Sequence, residues 1–104
     1  MDSLSIARET AGPDAAVLVL HGELDMASAP RLAEELERTA SRDVDRVVVD
    51  VTDLAFCDSS GLAVLMSWHR RCEQDGRQLV LRSPQPSLVR LLEITRVDEA
   101  IRTE

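Results

Sequence analysis

The chain has 104 residues, 44% of them apolar, which matches one ordinary domain (residues 1–104) with a single core. Its formal net charge is -7, which argues against nucleic-acid binding by counterion release. All 12 basic residues are arginine, and the lack of lysine excludes a G-x-x-x-x-G-K-[ST] phosphate loop, Schiff-base chemistry and a lysine general base.

The order of elements follows from hydrophobic period. LSIAR (4–8) alternates weakly and AVLVLHG (16–22) is a dense apolar run, with Gly12, Pro13 and Asp14 between them, so a hairpin opens the chain. From Ser28 the period becomes helical. Ser28 suits an N-cap, Pro30 the first turn, and Leu32, Ala33, Leu36 and Ala40 recur on one face, supported by a Glu34 and Arg38 pair. RVVVDV (46–51) predicts a strand buried on both faces. A helix over about 60–74 follows, with Leu62, Leu65, Met66, His69 and Cys72 on one side and Asp75-Gly76 closing it. RQLVLRS (77–83) is a further strand. Pro84 to Ser87 open a short helix with Leu88, Leu91 and Leu92 on its apolar side, and VDEAIRTE (97–104) reads equally as a helical turn or a short edge strand. The order ββαβαβα predicts an α/β fold, a mixed β-sheet with packed helices and right-handed parallel crossovers.

No run approaches the roughly 18 apolar residues of a membrane span, and MDSLSIARET lacks the order of a signal peptide. A cytoplasmic protein without direct membrane contact is expected. Cys57 and Cys72, 15 residues apart without C-x-x-C spacing, read as reduced core thiols rather than a disulfide or a metal site.

Chemistry concentrates in FCDSSGLAVL (56–65), where polar residues interrupt two apolar runs. A nucleophile elbow needs G-x-S-x-G, but Cys57 and Asp58 stand two residues before Ser59 and Ser60. The possible bases are His21 and His69, and His69 falls on the helical apolar stripe. Cys57 lies in an apolar approach that disfavours its thiolate. The carboxylates Glu23, Asp25, Asp50, Asp53 and Asp58 read mainly as solvated strand ends. A receiver-type phospho-aspartate site would also want a lysine. Catalysis, metal binding and a resident cofactor are therefore not expected. Two readings of DSSG stay open: a plain helix cap, or a seat for a phosphate at a helix N-terminus, where the added charge would act on docking partners.

HGELDMASAPRLAEEL (21–36), followed by VVVDVTDLAFCDSSGLAVLMSWHRRC (47–72), resembles the anti-sigma factor antagonists of the bacterial STAS domain family over nearly the whole chain. The resemblance implies binding to an anti-sigma factor that is also an ATP-using serine kinase, which frees the sigma factor. It implies phosphorylation on Ser59, loss of binding in that form, and restoration by a metal-dependent serine phosphatase. Asp58, Ser60, Gly61 and Leu62 would flank the acceptor and Asp25 would line the same surface. The alternative that the resemblance carries is a STAS subunit acting as scaffold in a transporter or stress-signalling assembly.

Several residues keep two readings. Gly61 permits either close approach of a partner backbone or tight helix packing. Val64 and Trp68, four apart, form either a partly exposed patch for the partner or a second core contact. Asp25 is either a solvated strand end or a partner contact. The chain also departs from the family it resembles. Many of its members carry a glycine just before the last element, where this chain reads ITRVD (94–98), and Cys57 stands where a larger apolar residue is usual.

Overall fold

The computed structural model describes residues 4–10, 12–39 and 44–104. Strands β1 (Leu4–Thr10) and β2 (Ala15–Leu24) form the expected antiparallel hairpin, and Gly12 takes the left-handed φ of 95° that its turn requires. Helix α1 (Ala29–Thr39) leads to β3 (Arg46–Cys57), α2 (Ser59–Gln74) to β4 (Gln78–Arg82), and α3 (Pro86–Ile94) to β5 (Arg102–Thr103). The five strands lie in chain order in one sheet, and every pair after the hairpin is parallel.

Alternation decides which side chains meet the helices. Leu18, Leu20, Val47, Val49, Val51, Leu79 and Leu81 join Leu32, Leu36, Leu65, Trp68, Cys72, Leu88 and Leu92 in one buried cluster. Each fully buried leucine there contributes about 2 kcal/mol by transfer from water. Val17, Val48 and Val80 stand at matched register with the opposite phase, and are buried outside that cluster. Their face also carries Arg46, Asp50, Arg82 and Glu104. Arg46 pairs with Glu104 at 2.5 Å, and Arg82 reaches Glu104 at 3.9 Å and Asp50 at 4.0 Å.

Several details differ from expectation. The central strand continues six residues past Val51, to Cys57, and does so against β2 alone. Two register shifts, between Val19 and His21 and between Gly22 and Glu23, accommodate the extension. Asp50 supports the first by accepting from the Thr52 N–H (3.0 Å) and hydroxyl (2.7 Å), and Gly22 serves the second with φ 108°. The ambiguous last segment holds both alternatives in series, a 3₁₀ turn at Val97–Glu99 and then β5. In α1, Arg38 pairs with Glu35 (3.0 Å) rather than Glu34, and Ala40 lies outside the described residues.

Candidate functional site

The carboxyl ends of β2 and β3 are tied side by side. Leu24 is the register partner of Cys57, and the Asp58 N–H donates to the Leu24 carbonyl at 3.1 Å. The two turns that follow, Asp25 to Ser28 and Asp58 to Ser60, therefore emerge together, where ligands and partners of parallel sheets commonly bind.

Asp58 is the N-cap of α2. Its Oδ1 accepts from the Ser60 N–H (2.9 Å) and the Gly61 N–H (3.2 Å), and its carbonyl accepts the first helical bond from Leu62 (3.0 Å). The helix thus starts at Ser59, one residue earlier than expected. Ser59 is exposed and its hydroxyl has no hydrogen-bond partner among the described residues, while Ser60 is half-buried. This narrows the phosphate seat. Of the first four N–H groups three are already bonded, so a phosphate on Ser59 would find its own N–H, the helix dipole and the Asp58 carboxylate close by.

The turn after β2 is built on Asp25. Its Oδ1 accepts from the Ala27 N–H (3.0 Å) and the Ser28 N–H (3.0 Å), and the Asp25 N–H donates to Ser28 Oγ at 2.9 Å. Through Oδ1 this carboxylate holds its own loop. The Ser28 hydroxyl is turned towards the same loop, 3.1 Å from the Glu23 carbonyl and from Asp25 Oδ1.

Gly61 resolves towards packing. A Cβ there would lie 2.4 Å from Leu24 Cγ and 3.2 Å from Cys57 Sγ, and Leu24 is itself fully buried. Burial and then the adjacent Asp58 charge push the Cys57 thiol up to about 12, so it stays protonated. Leu62 is buried, and Val64 is half-buried against the core.

Trp68 requires a correction. It is only 3% exposed, belongs to the core cluster, and its ring is covered by the Arg71 guanidinium 4.0 Å from the centroid. Arg71 also pairs with Glu37 of α1. Helix α2 packs against both the sheet and α1, which widens its buried stripe to include Trp68 alongside Leu62, Leu65, His69 and Cys72, and leaves Met66 half-buried. Beside Ser59 a shallow trough of about 260 Å³ instead follows α2 through Ala63, Met66 and Arg70 to Val97. Sequence reasoning also missed Met26 (76% exposed) on the Asp25 turn and Phe56 (50% exposed) before Cys57. Large apolar residues inside strand-end motifs were the available signal.

Among the described residues no helix is long and apolar enough to cross a membrane, and no group of three or more His, Cys, Asp or Glu side chains gathers as a metal site.

The molecule is thus an α/β domain, a five-stranded sheet with packed helices and a capped serine turn at the ends of its parallel strands. The chain belongs to the STAS domain family: a family model described as "Mlab, STAS domain" matches residues 7–103. It is 29% identical over 99 residues to the anti-sigma-B factor antagonist of Listeria monocytogenes, covering 95% of this chain and 87% of that one. The fold is similar to that of the anti-sigma factor antagonist SpoIIAA in its unphosphorylated form, with TM-score 0.81 at 19% identity over 96% of this chain and 88% of that one. It is also similar to part of the murine Slc26a9 anion transporter, with TM-score 0.75 at 15% identity over 86% of this chain and 15% of the transporter.

Proposed function

We propose that the chain is an anti-sigma factor antagonist whose unphosphorylated form binds an anti-sigma factor serine kinase and so frees a sigma factor. In this reading the kinase transfers the γ-phosphoryl group of ATP to Ser59 Oγ. The new O–P bond replaces the bond to ADP, the hydroxyl proton is released, and the product no longer binds. A metal-dependent serine phosphatase would reverse the change. The observation that carries the reading is Ser59 itself, exposed, with an unbonded hydroxyl, at the first position of a helix whose cap is rigidly joined to β2. The Asp25 turn, Asp58, Ser60 and the α2 trough form the surrounding docking surface, and Gly61, Leu62 and Val64 fix its shape from beneath.

Incubation with the cognate kinase and ATP should label the wild type once and leave Ser59→Ala unlabelled. Equal labelling of Ser59→Ala, read by intact mass, would move the acceptor elsewhere. A scaffold role in a transporter assembly has the fold likeness alone in its favour.

A further inference from the structure

We propose that the groove between the far half of β3 and helix α3 binds an extended, carboxylate-bearing peptide segment of a partner protein, which adds as a strand to the outer edge of β3. Strand β4 pairs only with Arg46–Asp50, so among the described residues Val51–Cys57 has a strand neighbour on the β2 side alone. At the near end, Gln85 Nε2 donates to the Thr52 carbonyl at 2.8 Å, a side chain standing where a strand's N–H would stand. Beyond it a groove of about 300 Å³ opens, with Ala55, Phe56 and Cys57 on the strand wall and Leu91 and Ile94 on the helix wall. Phe56 and Ile94 are 50% and 73% exposed, an unusual display for a chain with so few large apolar residues on its surface.

An open strand edge facing a helix across an apolar groove is the arrangement that recognises peptides by strand addition. Backbone bonds hold the peptide and alternate side chains fill the groove. The segment Leu54–Cys57 carries no charge or proline that would blunt its edge. Charge selects the occupant. Arg90 is the only charged residue lining the groove and makes no ion pair among the described residues, on a molecule of net charge -7. A carboxylate on the peptide would complete a charge-assisted pair with it.

The test uses the full chain and a fluorescein-labelled peptide of alternating threonine and valine ending in glutamate, titrated by fluorescence polarisation. Saturable binding is expected, weakened about tenfold or more by Arg90→Glu, because a charge-assisted pair becomes a like-charge one. N-methylation of alternate peptide amides should abolish binding in one phase and leave it within about twofold in the other, since only one peptide edge meets β3. Ser59→Ala should bind the peptide as the wild type does, so failure here and failure of the phosphorylation reading are separable. The proposal is overturned by absence of saturable binding, by equal affinity in both N-methylation phases, or by indifference to Arg90→Glu. It is equally overturned if laurate binds where the peptide does not, or if sedimentation shows two copies of the chain pairing through this edge in the peptide's presence.

Discussion

Cys57, two residues before the candidate acceptor, offers an unusually clean titration. The chain contains no lysine and no tyrosine, so between about pH 8.5 and 12 the titrating side chains are its two thiols, Cys57 and Cys72. Both are raised, chiefly by burial. The folded state therefore keeps protons that the unfolded chain has lost. Stability is full below about pH 8.5 and falls as pH rises towards 12. Urea midpoints measured across that window should decline, and Cys57→Ala should flatten the decline; an unchanged slope would show that Cys57 is not held protonated. Gly61 gives the second residue-scale expectation. Alanine usually favours a helix, yet here its Cβ would overlap Leu24, so Gly61→Ala should destabilise by about 2 kcal/mol, and a simultaneous Leu24→Ala should recover part of that loss. Thermal melts of the single and double variants check it. The D-S-S-G pattern offered a helix cap without saying which residue caps, because Asp58 and either serine can serve and Asp58 also reads as a solvated strand end. The duty of Asp25 was hidden, because an acid that ends a strand looks the same in sequence whether it meets water or its own loop.

The elements themselves were legible wherever a period ran long enough. The hairpin, α1, the 46–51 core of β3, α2 and α3 all show it. Strand β5 has two residues, too few for any alternation to register, and the bulged half of β3 breaks its own alternation at the register shifts. Arg96 accounts for the departure noted in ITRVD. It adopts φ 61°, a left-handed conformation that suits glycine. The Arg96 pair with Glu99, at 4.0 Å and well exposed, offers little in return. Arg96→Gly should therefore raise the stability of the α3 to β5 connection by about 1 kcal/mol, read as a higher denaturant midpoint, with a lower midpoint counting against strain at this position.

At the scale of the whole molecule, charge and rigidity act together. Because the turn of Ser59 is bonded to β2 and buttressed by Leu24, a charge added there has no loose segment to rearrange. Ser59→Asp should leave the melting temperature within about 2 °C of wild type, while weakening capture of the cognate kinase by tenfold or more. Calorimetry beside a binding isotherm separates the two, and an equally tight mimic would remove repulsion as the switch. The two bulges of β3 carry one more implication. From Val19 paired with Asp50 to Leu24 paired with Cys57, β3 uses two residues more than β2. The number of residues between Gly22 and Asp58 is thus a mechanical length, as fixed as a gear ratio. Deleting one residue from 51–56 would reverse the phase of the strand and carry the Asp58 N–H away from the Leu24 carbonyl. The G-E-L-D and D-S-S-G motifs can then drift in composition between relatives, but insertions and deletions inside that half-strand should be the changes such chains do not tolerate.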